Sequence, residues 1–179
     1  LANPSYLKKI IKKKKIKSII AFHTRNIPHK AHEWIHKFGL KKHNYLFIHP
    51  MVGELKVGDF KAFATIESYK VLIKQIYNKN VILGLFNSYA RYAGPKEALF
   101  HSIVRRNFGC THFLVGRDHA GVGKFYKKYE SQLLCKKFEK KLKIKIITFK
   151  EPFYCKTCNK IINKICNHIR RKSNNKIII

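Results

Sequence analysis

Apolar runs alternate with amphipathic stretches along the chain. Five short runs rich in β-branched and aromatic residues predict strands at 18–22, 45–48, 81–85, 111–115 and 145–149. Four longer segments repeat apolar residues at helical spacing and predict helices at 29–38, 62–76, 95–107 and 126–142. Strands that alternate with helices predict an α/β fold with a doubly wound parallel sheet and right-handed crossovers.

The first predicted strand ends in a polar turn that leads into a helix, with the sequence His-Thr-Arg-Asn-Ile-Pro-His-Lys-Ala-His. Pro28 falls where the helix is expected to begin, because a first-turn residue has no partner for its missing N–H. Arg25 and Asn26 then lie beside His29 and His32, at the carboxyl end of the strand and the amino end of the helix. Free backbone N–H groups and the helix dipole favour anions there, and the spacing of the two histidines places them on one helical face. The turn therefore predicts a site for a nucleotide phosphate.

A second predicted strand stops in the same way, at a glycine-rich turn with the sequence Gly-Arg-Asp-His-Ala-Gly that begins at Gly116. Glycine lets the backbone approach an anion closely, and Arg117 supplies a planar, permanently charged fork for phosphate or sulfate. Each turn alone is weak evidence for an anion site. Two such turns on two strands of one parallel sheet indicate a shared site.

Four segments, in order along the chain, resemble the sulfate adenylyltransferase (ATP sulfurylase) family: the turn at 23–32, His49 to Glu54, Arg91 to Ala98, and Gly116 to Gly121. The resemblance runs from about Ile19 to about His168 and implies a Rossmann-like nucleotidylyltransferase fold. Members of the family carry glutamine where this chain has His23, and arginine where it has Lys30. They also have a domain before the first strand and a helical part after the cysteine-rich segment. The resemblance therefore implies a catalytic domain truncated at both ends.

The resemblance implies that ATP and sulfate give adenosine 5′-phosphosulfate and pyrophosphate, with Mg²⁺ brought in on the ATP, in sulfur assimilation or dissimilatory sulfur metabolism. Catalysis of this kind depends mainly on positioning and electrostatics. By the resemblance, the catalytic residues are Thr24, Arg25, Asn26, His29 and His32. The residues that hold sulfate are His23, Arg25, Arg117 and the backbone of Ala120. The nucleotide-binding residues are Asn26, His29, His32, Gly116, Arg117, Asp118 and His119.

The cysteines divide into two groups. Cys110 and Cys135 are isolated in apolar contexts and are expected to be buried thiols. The remaining group is Cys155, Cys158, Cys166 and, two residues further on, His168. A Cys-x-x-Cys knuckle followed by a Cys/His pair supplies the four ligands of a tetrahedral structural zinc, and free thiols at a frayed terminus are the alternative. Some prokaryotic members of the resembled family carry zinc at a similar Phe-Tyr-Cys-x-x-Cys segment.

The formal net charge is +30. Such a charge ordinarily suggests a nucleic-acid partner. Lysine, isoleucine and asparagine, however, are abundant together and all have codons of A and T alone, so base-composition bias is the favoured explanation. Only non-specific binding to nucleic acid at low salt is expected. His101 and His112 have no liganding neighbours in sequence and are interpreted as packing or surface residues.

The sequence divides into a basic amino-terminal segment (1–17), a nucleotide-binding catalytic domain (18–150), a Cys/His zinc loop (151–169) and a basic tail (170–179) that is expected to fray. No apolar run approaches the ~20 residues of a membrane span, and the amino terminus does not resemble a cleavable signal. A cytoplasmic protein that binds no membrane is therefore expected, with assembly into a homo-oligomer suggested by the resemblance. Two alternatives stay open: an inactive or partial subunit that needs a second polypeptide, and a zinc-containing basic protein that binds nucleic acid.

Overall fold

The computed structural model describes residues 3–53, 58–77, 79–171 and 176–178. Its central element is a sheet of five strands: β1 (Ile19–Thr24), β2 (Tyr45–Pro50), β3 (Val81–Leu83), β4 (His112–Val115) and β5 (Lys145–Thr148). The strand order is β3-β2-β1-β4-β5, and every neighbouring pair is parallel. The predicted parallel α/β sheet is thus confirmed, with each predicted strand shifted by at most two residues at either end.

Five helices cover the two faces of this sheet: α1 (Pro4–Lys13), α2 (Lys30–Leu40), α3 (Ala62–Ile76), α4 (Gly94–Asn107) and α5 (Glu130–Leu142). Successive residues of β1 point to opposite faces. Ile19 and Ala21 belong to the core beneath α1, α4 and α5, whereas Ile20 and Phe22 belong to the core beneath α2 and α3. Burial on both faces explains why the strand is a continuous apolar run and makes the sheet doubly wound.

Two predicted helices begin later than the sequence indicated. The helix predicted at 126–142 begins at Glu130, because Tyr129 has a left-handed φ of 68° and its N–H donates to the Arg117 carbonyl at 2.8 Å. The segment before it is a loop bound to the glycine-rich turn. Helix α2 begins at Lys30 with His29 as its N-cap, so Pro28 lies before the helix and not in its first turn.

The amino-terminal helix α1 was not predicted, since its lysines dominate the segment. Asn3 caps it by accepting a hydrogen bond from the Tyr6 N–H at 2.8 Å, and Pro4 occupies its first turn, where proline is favoured. Leu7 is fully buried in the sheet core, with Ile10 and Ile11 packed beside it. The basic segment is therefore an amphipathic helix that packs on the sheet.

Leu7→Ala is expected to lower the free energy of unfolding by about 2–5 kcal/mol, because it leaves a cavity in the core. The measurement is urea unfolding followed by circular dichroism. Tyr6→Ala is the control: Tyr6 is 54% exposed on the same helix, and its replacement should change stability by about 0.5 kcal/mol or less. Equal midpoints for the two variants would mean that α1 is not part of the cooperative core.

A second, antiparallel sheet forms near the carboxyl terminus from β6 (Phe153–Cys155), β7 (Lys160–Ile162) and β8 (Lys176–Ile178), in the order β7-β6-β8. A short helix, α6 (Asn167–Arg171), lies between β7 and β8. The expectation of a frayed tail is wrong for residues 176–178, because β8 pairs with β6 and places Ile177 opposite Tyr154. Residues 172–175 and 179 of that tail lie outside the described residues. No helix in the described ranges is long and apolar enough to cross a membrane.

Candidate active site

A cleft of about 250 Å³ opens beyond the carboxyl ends of β1 and β4. These strands are neighbours at the point where the strand order reverses, which is where open α/β sheets bind ligands. All the residues assigned to catalysis, sulfate and nucleotide line this cleft: His23, Thr24, Arg25, Asn26, His29, His32, Gly116, Arg117, Asp118, His119 and Ala120. The two polar turns, more than eighty residues apart in sequence, form facing walls of one cavity.

The wall that follows β1 is held by short-range hydrogen bonds. The Thr24 hydroxyl accepts the Asn26 N–H at 3.0 Å and closes the turn. The His29 Nδ1 accepts the Ala31 N–H at 3.3 Å as the cap of α2, and the rings of His29 and His32 stack with centroids 3.9 Å apart. Because Nδ1 of a neutral His29 is an acceptor here, its Nε2 carries the proton and can donate to a ligand.

The opposite wall is the glycine-rich turn after β4. Ala120 adopts a left-handed φ of 59°, and its carbonyl accepts the Gly94 N–H at 3.0 Å, which ties the turn to the start of α4. A side chain at Gly121 would overlap the Asp118 carboxylate, so a larger residue at that position would have to displace the Asp118 side chain. These constraints fix the backbone on either side of Arg117 and Ala120.

Each of the two arginines in the cleft lies beside a carboxylate that sequence reasoning missed. Arg117 Nη1 lies 2.8 Å from Glu151 Oε1, and Arg25 Nη1 lies 3.6 Å from Asp59 Oδ2. Arg25 also covers the ring of Tyr92 at 4.6 Å. A guanidinium has five donor hydrogens, so one ion pair orients it and still leaves donors for an anion.

The buried histidines of the site are neutral at pH 7. Burial, followed by the nearby His29, lowers the pKa of His32 to about 3. Burial, followed by the charges of Arg105 and Arg25, lowers the pKa of His119 to about 3. Burial, followed by Arg105, lowers the pKa of His49 to about 2. Positive charge in the cleft therefore comes from the arginines, and the buried histidines act through neutral hydrogen bonds.

These histidines are expected to make the fold acid-sensitive. Their folded-state pKa values lie below the unfolded value of about 6.5, so the unfolded chain takes up protons first as the pH falls. Their contribution is complete above pH 6.5 and is lost as the pH falls toward 3. The free energy of unfolding should drop by about 2 kcal/mol or more between pH 7 and pH 5. The measurement is the urea midpoint at pH 7 and at pH 5, with EDTA present throughout so that no metal contributes. A midpoint that stays constant would contradict the prediction.

The structure adds three residues of α4 to the site: Glu97, His101 and Arg105, at i, i+4 spacing and all buried. His101 Nδ1 lies 2.9 Å from His119 Nε2, and its Nε2 lies 3.5 Å from Glu97 Oε1. Arg105 Nη2 lies 2.6 Å from His23 Nδ1. His101 is buried, which agrees with its interpretation as a packing residue, and the structure places it beside the site. The sequence signal that could have revealed these residues is the i, i+4 spacing of Glu97, His101 and Arg105, on a helix face that also carries the buried Ala98.

His112 lies at the amino end of β4, on the opposite edge of the sheet. Its ring is 4.0 Å from that of His43, and its Nδ1 lies 2.8 Å from the hydroxyl oxygen of the neighbouring Thr111. The interpretation of His112 as a residue outside the site agrees with this position.

The predicted metal ligands come together at the second sheet. Cys155 Sγ lies 3.5 Å and Cys158 Sγ 3.7 Å from Cys166 Sγ, and Cys158 Sγ lies 3.2 Å from His168 Nδ1. A tetrahedron with metal–sulfur bonds of about 2.3 Å has edges of roughly 3.8 Å, close to these separations. All three cysteines are free thiols. The group is a Cys₃His cluster that is compatible with zinc.

Comparison with known protein families shows to which family this chain is related. A family model described as ATP-sulfurylase matches residues 1–177. The chain belongs to the ATP-sulfurylase family. This membership confirms the resemblance found in the four sequence segments.

Several curated relatives in the ATP-sulfurylase family carry the name sulfate adenylyltransferase. The protein from Chloroflexus aurantiacus is 43% identical over 168 residues, which cover 92% of this chain and 44% of the relative. Those from Staphylothermus marinus and Pyrococcus abyssi are each 46% identical, over 89% of this chain and 42% of each relative. The chain thus spans less than half the length of these relatives.

One solved structure, titled a hexameric APS kinase from Thiobacillus denitrificans, is similar in fold to this member of the ATP-sulfurylase family. The TM-score is 0.71 at 20% identity, over 90% of this chain and 30% of that chain. At this level of identity the similarity concerns the fold alone, and it agrees with the parallel α/β sheet described above.

Proposed function

We propose that this chain is the catalytic part of a sulfate adenylyltransferase, which converts ATP and sulfate into adenosine 5′-phosphosulfate and pyrophosphate. The observation that carries the proposal is the placement of Arg25 and Arg117 on facing walls of one cleft at the carboxyl edge of the sheet. Two permanently charged forks suit a small dianion. Relatives that bear the name of this enzyme, at 43–46% identity, support the same reaction.

In the proposed reaction a sulfate oxygen attacks the α-phosphorus of MgATP. A new bond forms between that oxygen and the α-phosphorus, and the bond from the α-phosphorus to the bridging oxygen breaks, so that pyrophosphate leaves with the electron pair. Arg25 and Arg117, with His23 and the backbone of Ala120, hold the sulfate in line. Sulfate is a poor nucleophile, so positioning and charge stabilisation must supply the acceleration.

The remaining residues of the cleft are assigned to the nucleotide. Asn26, His29 and His32 contact the phosphates, and Thr24 shapes the turn that presents them. Because His32 is neutral, it acts as a hydrogen-bond partner of a phosphoryl oxygen and not as a cation. The Gly116 to His119 segment lines the nucleotide. Mg²⁺ is expected to enter with ATP as part of the substrate.

We assign zinc to the Cys₃His cluster as a structural ion. Cys155 belongs to β6, Cys158 to the β6–β7 turn, and Cys166 and His168 to the start of α6. A metal on these four residues would join the hairpin to the helix. Thiol ligands suit a reducing compartment, and the cytoplasm remains the expected location.

The test is the fate of radiolabelled sulfate incubated with the purified chain and MgATP. Transfer of the label to a nucleotide, with one pyrophosphate formed for each label transferred, is the expected result. Label that stays in inorganic sulfate with no pyrophosphate formed would contradict the proposal.

The expected homo-oligomer is tested by sedimentation of the same preparation. The expected non-specific contact with nucleic acid is tested by binding to DNA, which should disappear as the salt concentration rises.

A further inference from the structure

The feature that the proposed mechanism leaves unexplained is Arg105, a fully buried arginine of α4. Its guanidinium donates to the carbonyl oxygens of His49 at 3.2 Å and His101 at 3.4 Å. The rings of Phe86 and Phe113 lie 4.5 and 5.6 Å from it. In the part of the chain that the structure describes, no carboxylate forms an ion pair with this guanidinium. A buried charge without such a partner is costly, so a role beyond stability is indicated.

The closest polar contact of Arg105 is with His23, whose Nδ1 lies 2.6 Å from Arg105 Nη2. A guanidinium can donate hydrogen bonds but cannot accept them. The Nδ1 of His23 must therefore be the acceptor, which leaves it without a proton. A neutral imidazole carries its one proton on the other nitrogen, so the contact selects the form of His23 in which Nε2 is a donor.

The surroundings keep His23 neutral. The ionisable groups that face it are His101 and Arg105 on α4, His119 after β4, and His49 on β2. Burial, followed by His101 and then Arg105, holds the pKa of His23 well below its ordinary value. The ring of His23 lies 4.1 Å from that of His101 and 5.2 Å from that of His119, and His23 lines the cleft.

One ring nitrogen from each of His23, His101 and His119 lies within 4.8 Å of the other two, a spacing that could also hold a metal ion. A cation there would stand close to the Arg105 guanidinium and would be repelled by it. The same charge attracts an anion. The electrostatics of the cluster therefore favour an anionic ligand.

We propose that Arg105 is a positioning residue that fixes His23 with its proton on Nε2, so that the ring donates a hydrogen bond to the bound sulfate. This inference rests on the proposed function, because sulfate is its ligand. The opposite tautomer would present a lone pair to the anion and repel it. Arg105 thus determines whether His23 attracts or repels sulfate, although it is not itself a catalytic residue.

The first test is independent of activity. In the wild-type chain labelled with ¹⁵N-histidine, the ring nitrogens of His23 are assigned by their loss in His23→Gln. The expected spectrum at pH 7 shows an unprotonated Nδ1 and a protonated Nε2, with the Nε2 signal shifting on addition of sodium sulfate. A proton on Nδ1, a doubly protonated ring, or an unchanged Nε2 signal at saturating sulfate would overturn the proposal.

The second test compares Arg105→Met with Arg106→Met, a matched control at the next position, where the side chain is exposed. Arg105→Met is expected to raise the KM for sulfate roughly 10- to 100-fold, because His23 is then free to present a lone pair to sulfate in place of its Nε2–H. The KM for ATP should change by about twofold or less. Burial, the largest cause that keeps His23 neutral, remains in this variant, so its sulfate KM should stay raised at pH 6 as well as at pH 8. Arg106→Met should keep the wild-type KM for sulfate at both pH values.

The effect of Arg105→Met in the His23→Gln background tests whether Arg105 has only a structural role. An amide can rotate to present its NH₂ group, so Arg105→Met should cost at least about fivefold less in the His23→Gln background than in the wild type. Equal cost in both backgrounds would overturn the proposal. If Arg105→Met does not fold, the spectrum of the wild type still decides. A wild-type chain with the expected tautomer but no sulfate-dependent turnover would refute the proposed function and leave the Arg105–His23 contact as described.

Discussion

Arg117→Ala is expected to lower sulfate-dependent turnover by about 10²- to 10³-fold, the usual effect of removing one donor from a preorganised anion site. The loss has two physical sources. The variant removes one of the two guanidinium groups of the cleft, and it leaves the Glu151 carboxylate, now 2.8 Å from Arg117 Nη1, without its partner beside the anion. The measurement is kcat/KM for sulfate at saturating MgATP.

The matched control for Arg117→Ala is Arg106→Ala, which removes the same side chain from an exposed position away from the cleft. It should retain wild-type kcat/KM, and both variants should unfold cooperatively in urea. Full activity of Arg117→Ala would refute the assignment of this arginine to sulfate. Equal losses in both variants would mean that net charge, and not the position of Arg117, governs turnover.

Cys155→Ser is expected to abolish stoichiometric zinc binding, from about one zinc per chain to none after dialysis. Loss of one of four ligands from a structural site removes much of the binding free energy, which reaches about 10–16 kcal/mol in small zinc domains. The segment 153–171 should then exchange its amide hydrogens rapidly, while β1 and β4 of the parallel sheet stay protected. Metal analysis combined with hydrogen exchange makes the measurement.

The control for the zinc prediction is Cys135→Ser, which changes a buried cysteine of α5 that belongs to the core of the parallel sheet and not to the Cys₃His cluster. It should keep one zinc per chain even if the core becomes less stable. Zinc retained by Cys155→Ser, or exchange that is unchanged at 153–171, would show that the Cys₃His cluster does not hold the ion.

The strands and the turns of the cleft could be predicted because their signals are local. A run such as Ile19 to Phe22, apolar at every position, is typical of a strand that is buried on both faces. The polar turn that follows it ends the strand abruptly. Helix α1 was missed for a local reason too. Four of its ten residues are lysines, and the i, i+3, i+4 spacing of Leu7, Ile10 and Ile11 becomes clear only when the core beneath them is seen.

The parts of the site that sequence reasoning missed depend on contacts between distant residues. Glu151 approaches Arg117 from beyond β5, and Asp59 approaches Arg25 from the segment before α3. Arg105 reaches His23 across 82 positions of the chain. No pattern in one sequence pairs such residues, because the fold brings them together. The antiparallel pairing of β8 with β6 is likewise formed across the Cys₃His turn and has no local signal.

The most direct test of the proposed adenylyl transfer is pyrophosphate release from MgATP by the purified chain, measured with and without sulfate. The expected result is release that depends on sulfate, saturates with its concentration and is lost in Arg117→Ala. Release that is independent of sulfate, or absent from a folded chain that binds MgATP, would contradict the claim that this cleft transfers the adenylyl group to sulfate.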